Sequence, residues 1–373
     1  MKVIGLISGT SVDGIDAALV EINQSEQSIQ SIKLNFITGK TFPYDRQLRD
    51  EILAVCAGEP RSIAQICNLD DAIANAFAQV ANQIIDVTQI KPDLIASHGQ
   101  TVFHRPPIES TLGYSVQLGR GAVIAKTTGI MTVSDFRTAD IEAGGQGAPM
   151  VSMLDRLFLS QQGKHTVVQN IGGISNLTYL PASGDQVFGF DNAPGNVLID
   201  MASSKLFGVD FDRNGELAAK GNADLSLIKV WLAQDFFLMP PPKSTGRELF
   251  CPSYLEQILS QCKHLSNHDI LATLTEFTAK AIAQSYRLFL PDFPDRVLIC
   301  GGGYRNAYLV KRLKALLAPA LVMSTDQVGI NSDFKEAIAF AVLGYLTFHG
   351  QCGNLPQVTG AKEPKVLGKI HLA

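Results

Sequence analysis

The chain has 373 residues, with 31 lysines and arginines against 35 aspartates and glutamates, and a net charge of −4. Hydrophobic residues make up 46% and charged residues 18%, which excludes a disordered chain, while the slightly acidic balance argues against nucleic-acid binding through bulk charge. No window approaches ~18 uninterrupted apolar residues, so no membrane span is expected.

The six cysteines show no paired spacing, and the first residues form a predicted strand rather than a secretory signal. We therefore expect free thiols and a cytoplasmic protein. A chain of this length can hold two domains, each with its own core.

The first predicted elements are two strands within residues 3–20, joined by a tight turn. Glycines let backbone N–H groups approach a phosphate, and a carboxylate beside them would lie where a magnesium–nucleotide binds. An ordinary hairpin is the alternative interpretation. The turn and the start of the second strand contain glycines, hydroxyl groups and acids: Gly9, Thr10, Ser11, Asp13, Gly14 and Asp16.

Alternating strands and helices follow, as hydrophobic periodicity predicts. The predicted strands are 31–41, 91–97, a hairpin of 102–104 with 114–118, and 130–133. The predicted helices are 45–56, 62–87, 119–128 and 150–160.

The opening pattern then returns about 160 residues later, which indicates an internal duplication. Residues 165–180 form strand, glycine turn and strand, with Asn170, Gly172 and Gly173 in the turn region. A strand at 187–190 follows. A further strand at 296–300 runs into Gly301, Gly302 and Gly303 and a helix at 306–317.

This order predicts an α/β protein of two homologous domains, each a mixed sheet flanked by helices. We place the N-terminal domain at 1–133 plus 345–373 and the C-terminal domain at 134–344. Two such domains leave an interdomain cleft, where ligands commonly bind, and both glycine turns are expected to face it.

The two strand–turn–strand units and the triple glycine resemble the superfamily of sugar kinases, actin and the large heat-shock chaperones. That resemblance implies duplicated ribonuclease H-like domains, ATP held by the two turns and the triple glycine, and Mg²⁺ at Asp13. Longer motifs resemble the anhydro-N-acetylmuramic acid kinase family: Gly9–Asp16, Ser97–His104, Asp135–Arg137 with Gly144–Pro149, Asn170–Asn176, Phe190–Asp191 with Pro194–Asn196, and Pro242–Glu248.

The family resemblance implies that 1,6-anhydro-N-acetylmuramic acid is opened by water and phosphorylated on its 6-oxygen by ATP. Asp191, at the predicted end of a strand and before a helix, is the expected base, and Glu336 a second acidic site residue. His98, Gln100 and His104 are expected near the sugar, and Arg120 or Arg137 at its lactyl carboxylate, which a guanidinium matches as a fork. The resemblance also suggests a homodimer.

One departure accompanies this resemblance. The family usually has Asp-Thr-Gly-Pro-Gly-Asn where this chain has Asp191-Asn-Ala-Pro-Gly-Asn196, so the effect of Asn192 and Ala193 on the turn is open. Lys243 and Arg247 are candidates for phosphate, an interface or solvent. A kinase of another sugar or small acid, and a chaperone-like or filament-forming ATPase, are the alternative functions.

Overall fold

The computed structural model describes residues 1–9, 11–24, 31–108, 111–184, 186–246 and 249–373. They form two compact units, one of Met1–Phe158 with Gly329–Ala373 and one of Leu159–Val328.

The first unit is built on a mixed sheet of strand order β12-β6-β4-β1-β2-β3, with β5 paired to β4. Strands β1 and β2 are antiparallel, as are β2 and β3, whereas β4 runs parallel to β1 and to β6. The strands are β1 (Lys2–Ser8), β2 (Gly14–Gln24), β3 (Ile32–Pro43), β4 (Leu94–Arg105), β5 (Tyr114–Leu118), β6 (Thr132–Ser134) and β12 (Lys369–His371).

Helices cover both faces of this sheet, because successive side chains of a strand point to opposite faces. Ile4 and Leu6 pack in one cluster with Phe77 of α2, whereas a Cβ atom at Gly5 would overlap Ala337 of α12 on the other face. The helices are α1 (Arg46–Cys56), α2 (Ile63–Thr88), α3 (Gly121–Thr128), α4 (Thr138–Glu142), α5 (Ser152–Leu154), α12 (Lys335–Phe348) and α13 (Pro356–Thr359), with a π-helical turn at Asp155–Leu159.

The second unit is built on a mixed sheet of order β11-β10-β7-β8-β9. Its strands are β7 (Thr166–Ile171), β8 (Ser175–Leu180), β9 (Phe188–Ala193), β10 (Arg296–Cys300) and β11 (Leu321–Ser324). Its helices are α6 (Val197–Phe207), α7 (Leu225–Trp231), α8 (Asp235–Leu238), α9 (Pro252–Gln261), α10 (Asn267–Phe289) and α11 (Ala307–Leu316). The core of this unit gathers the fully buried Trp231, Phe250 and Phe277.

The two sheets confirm the predicted duplication. In each unit the first strand is antiparallel to the second and the second to the third, and the first is parallel to the fourth. The fourth strand is in turn parallel to the last strand of the motif, β6 in the first unit and β11 in the second, while β5 is an antiparallel addition to the first unit. The order β3-β2-β1-β4-β6 in one unit therefore matches β9-β8-β7-β10-β11 in the other. This is the two-domain α/β fold that the sequence predicted.

The observed unit boundaries, at 158/159 and 328/329, differ from the 133/134 and 344/345 expected from the sequence. The reason is packing that no local pattern reveals. Helix α12 packs on β1, β2 and β4 of the first unit. At its start, Lys335 forms a buried ion pair with Asp155, their Nζ and Oδ1 atoms being 2.7 Å apart.

Two predicted elements are also corrected. The strand expected at 91–97 and the separate hairpin strand at 102–104 are one continuous strand, β4, whose far end pairs with β5. The helix expected at 150–160 is a short α-helix followed by the π-helical turn. Within the described part of the chain, no helix combines the length and apolarity that crossing a bilayer requires.

Candidate active site

The first glycine turn joins β1 to β2, and its backbone strain lies at a residue that the sequence did not suggest. Val12 has a φ of +54°, its N–H donates to the Gly9 carbonyl over 3.2 Å, and its side chain is buried in the core. A positive φ at a β-branched residue costs about 1–3 kcal/mol and persists only where the surroundings impose it. Ser11 and Asp13 are exposed on this turn, and Thr10 lies outside the described residues.

Two side chains from other elements hold this turn. Arg49 of α1 donates from Nε to the Val12 carbonyl over 2.9 Å, and its NH2 atom lies 3.6 Å from an Asp13 carboxylate oxygen. Gln100 of β4, which is fully buried, donates from Nε2 to the Gly9 carbonyl over 3.3 Å. Sequence reasoning missed Arg49, because nothing in an ordinary amphipathic helix marks one arginine as a turn support. It assigned Gln100 to the sugar, which stays a prediction.

The acids near the first turn can complement a metal bound mainly by phosphates. Burial raises the pKa of Asp16, as do the charges of Asp333 and Asp13, while a 2.5 Å hydrogen bond from the Thr41 hydroxyl opposes the shift. Among the described residues, no cluster of three or more His, Cys, Asp or Glu side chains could cage a metal. Mg²⁺ bound to a nucleotide needs only one or two protein carboxylates, so the exposed Asp13 fits that role.

A polar cluster in the first unit contains three of the predicted site residues. Arg137 donates from Nε to His98 Nε2 over 3.0 Å and from NH1 to the Gly147 carbonyl over 3.1 Å. The His98 Nδ1 atom lies 3.0 Å from the Gly99 carbonyl, so His98 is the neutral tautomer with its proton on Nδ1. Burial, together with the Arg137 charge, holds the pKa of His98 well below its ordinary 6.5.

Glu336, at the start of α12, is the third member of this polar cluster. Desolvation raises the pKa of Glu336, as does the charge of Asp16, while Lys335 and Arg137 act in the opposite direction. Its side chain is surrounded by protein but keeps an exposed surface, so water relieves part of that desolvation. Burial lowers the pKa of Arg137 to about 10 and Glu336 partly offsets this effect, which leaves the guanidinium charged at neutral pH.

The other arginine proposed for the lactyl group has a different environment. Arg120 precedes α3 and pairs with Asp71 of α2 at 2.8 Å, and both side chains are about half exposed. None of the contacts described for this chain connects Arg120 to His98 or Glu336. His104 lies on the exposed end of β4, where its Nδ1 atom is 3.1 Å from the Ser115 hydroxyl. The roles of Arg120 and His104 stay predictions.

The second glycine turn joins β7 to β8 and is bound to the start of α6. The Asn196 and Val197 N–H groups donate to the carbonyls of Gly172 and Gly173 over 2.9 and 3.0 Å. Gly195 has a φ of +60°, and a Cβ atom there would lie 2.5 Å from the Gly172 oxygen. The carbonyl side of this turn is therefore filled by the helix start.

The predicted glycines divide into those that packing requires and those that it does not. Gly301 has a φ of +79°, and a Cβ atom there would lie 2.5 Å from the Asn170 amide oxygen, so this glycine keeps β7 and β10 close. At Gly9, Gly173 and Gly302 a Cβ atom would meet no described atom within 4 Å. Space beside the backbone at these three positions is what a phosphate or nucleoside needs.

Asp191 lies inside a strand rather than after one, which corrects the sequence prediction. Strand β9 continues to Ala193 because Ala193 still pairs with Ser175 of β8. The Thr245 N–H donates to Asp191 Oδ2 over 2.8 Å, and the Asp191 N–H donates to the Lys243 carbonyl over 3.2 Å. Hydrogen bonding from a backbone N–H favours the ionised carboxylate.

Asn192, whose effect on the turn the sequence left open, faces the core and is 1% exposed. Its amide nitrogen donates to Gln169 Oε1 over 3.0 Å and to the Ser285 hydroxyl over 3.1 Å, and its oxygen accepts from Ser175 over 3.1 Å. The Tyr286 hydroxyl also donates to Gln169 Oε1, over 2.8 Å. The residue beside Asp191 is thus fixed by a buried polar network.

Lys243 is buried, which contradicts the alternative that its side chain only contacts solvent. It is 8% exposed, and its ammonium group donates to the Phe236 carbonyl over 2.8 Å. Burial lowers the pKa of this ammonium group to about 8. Arg247, the other cation of this loop, lies outside the described residues.

Comparison with known proteins places the whole chain in one group. The family model described as "Anhydro-N-acetylmuramic acid kinase" matches residues 1–373. The anhydro-N-acetylmuramic acid kinase of Rippkaea orientalis is 54% identical over 386 residues, which cover 99% of each chain. That of Synechocystis sp. is 52% identical over 387 residues, covering 100% of this chain and 99% of the relative. Component A of (R)-2-hydroxyglutaryl-CoA dehydratase from Acidaminococcus fermentans, a solved structure, has a TM-score of 0.47 at 11% identity, covering 92% of this chain and 98% of that one.

Proposed function

The chain belongs to the anhydro-N-acetylmuramic acid kinase family, and from this premise we propose that it converts 1,6-anhydro-N-acetylmuramic acid, water and ATP into N-acetylmuramic acid 6-phosphate and ADP. The observation that carries the proposal is the match to this family over all 373 residues, at more than half identity to curated relatives. The reaction serves the recycling of cell-wall amino sugars.

We assign the base to Asp191. Its carboxylate takes a proton from the water that attacks the anomeric carbon, the bond from that carbon to the bridging 6-oxygen breaks, and the 6-oxygen forms its new bond to the γ-phosphorus as ADP leaves. The Thr245 N–H supports this assignment, since it orients the carboxylate and favours its ionised form. A positioned base contributes roughly a hundred- to ten-thousand-fold in rate.

We assign recognition of the lactyl carboxylate to Arg137. His98 and the Gly147 carbonyl occupy its Nε and one N–H of NH1. Its remaining N–H groups have no hydrogen-bond partner among the described residues and can make a bidentate contact. We assign Glu336 to orient the sugar or the water, because its charge raises the pKa of Arg137 and it therefore lies near this arginine. Arg120 is the alternative for the carboxylate.

We assign the phosphates to the two glycine turns and the nucleoside to the triple glycine. Mg²⁺ would be held by Asp13 and the phosphates, and its chemistry is to neutralise the charge that develops during phosphoryl transfer. A cytoplasmic location and a homodimer, both implied by the family, remain proposals. The cysteines of this chain are free thiols, which suits a reducing compartment.

The test is a coupled ADP-release assay with ATP, Mg²⁺ and 1,6-anhydro-N-acetylmuramic acid, run beside the anhydro-N-acetylglucosamine analogue that lacks the lactyl group. We expect turnover of the muramic sugar only. Asp191→Asn should lower kcat by roughly 10²–10⁴-fold, whereas Asp210→Asn, at an exposed loop of the same unit, should not. Equal turnover of both sugars, or an active Asp191→Asn enzyme, would refute the corresponding assignment.

A further inference from the structure

Lys243 is a buried cation inside a group of aromatic rings. Its Nζ atom lies 4.5 Å from the ring centroid of Phe289, 4.9 Å from that of Phe236 and 5.8 Å from that of Phe190. In the part of the chain that the structure describes, no carboxylate lies within 4 Å of this ammonium group. The ring faces and the Phe236 carbonyl therefore take the place of a counter-ion, since aromatic faces attract cations.

The backbone around Lys243 binds the proposed base directly. The Lys243 carbonyl accepts the Asp191 N–H, and two residues later the Thr245 N–H donates to the Asp191 carboxylate. The same short segment thus contacts both the backbone and the side chain of Asp191. Strand β9 also contributes Phe190, one of the three rings around the ammonium group.

The segment has little regular structure of its own to hold it in place. Residues 240–246 lie in neither helix nor strand, and loops of this kind are the mobile parts of most folds. The side chain of Lys243 links this loop to α8 through Phe236 and to the end of α10 through Phe289. That link anchors the segment from which the Thr245 N–H donates to the Asp191 carboxylate.

We propose that Lys243 is a positioning residue for the reaction: its buried ammonium group, held by three phenylalanine rings and the Phe236 carbonyl, anchors the loop that orients Asp191. This rests on the proposed role of Asp191 as base. A contact between Lys243 and phosphate, the other role open to a lysine of this loop, predicts different kinetics.

The experiment compares Lys243→Met, which keeps an unbranched side chain among the rings, with Lys243→Arg, which keeps the cation. We expect Lys243→Met to lower kcat about 10–100-fold with the KM for ATP and sugar within about threefold of wild type, because a misplaced base slows chemistry more than binding. Lys243→Arg should recover most of that loss. The exposed Lys263→Met of the same unit is the matched control.

Hydrogen–deuterium exchange supplies a readout that does not depend on turnover. In Lys243→Met the amides of residues 243–246 should exchange at least about tenfold faster, while those of β7 and β10 keep their protection. If wild-type enzyme turned over no sugar, the proposed function would fail and exchange alone would still decide the anchoring. Should Lys243→Met not fold, Phe289→Leu, which removes one ring, is expected to change kcat and exchange in the same direction.

Three results would overturn the proposal. One is a folded Lys243→Met enzyme with kcat within twofold of wild type and unchanged exchange. Another is a raised KM for ATP at unchanged kcat, which indicates phosphate binding. The third is a Lys243→Arg enzyme no better than Lys243→Met, which would show that the cation does not matter.

Discussion

The neutral, buried His98 makes the stability of the first unit depend on pH in a direction that the structure specifies. Burial and the charge of Arg137 hold its folded-state pKa well below the ordinary value of 6.5. At a pH between 6.5 and the lower folded-state pKa, His98 is protonated in the unfolded chain but neutral in the folded chain. The free energy of unfolding therefore falls as the pH falls below 6.5.

The size of the effect follows from the same linkage. With an unfolded pKa of 6.5, lowering the pH from about 7.5 to about 5.0 costs at most about 2 kcal/mol of stability, the limit reached when the folded state binds no proton over this range. The variant His98→Gln has no such group. It should lose less stability than wild type over this range, by up to about 2 kcal/mol, whatever its stability at neutral pH.

Native-state hydrogen exchange of the β4 amides is the suitable assay, because it reports the opening of the first unit alone. Fluorescence of Trp231, the one tryptophan of the chain, would report the second unit instead.

The raised pKa of Glu336 adds stability as the pH falls, but this contribution is present in both wild type and variant and cancels in their difference. The control is His349→Gln, which replaces an exposed histidine of the same unit. Parallel pH curves for wild type and His98→Gln would refute the reasoning.

Two further predictions concern the surroundings of Asp191 and the second turn. Asn192→Leu leaves Gln169 and Ser285 without their buried partner and should lower the stability of this unit by about 1–3 kcal/mol in urea unfolding followed by Trp231 fluorescence; a neutral effect would show that the network carries little energy. Gly195→Ala should weaken ATP binding in calorimetry, and it should destabilise the fold by more than Gly184→Ala does. Both glycines have a positive φ (+60° and +80°), but only a Cβ atom at Gly195 would meet nearby atoms. Equal losses would mean that backbone conformation alone matters.

The sequence by itself determined the elements and their duplication, because these depend on neighbours along the chain. Apolar spacing placed a helix at 62–87, and α2 runs from Ile63 to Thr88. The two strand–turn–strand units were visible from alternation and glycine, and so was the strand before the triple glycine. Family motifs then indicated the reaction and most of the candidate residues.

Only the tertiary structure decided which side chains support which. Arg49 reaches a turn 37 residues earlier. Asp191 is bound by groups more than 50 residues away, its N–H donating to the Lys243 carbonyl and its carboxylate accepting from the Thr245 N–H. The observed unit boundary differs from the predicted one because α12 packs on β1 and β4 of the first unit. Hydrophobic burial specifies that an apolar face must be covered, but it is non-directional, so the identity of the covering element is set by the packing of the whole unit.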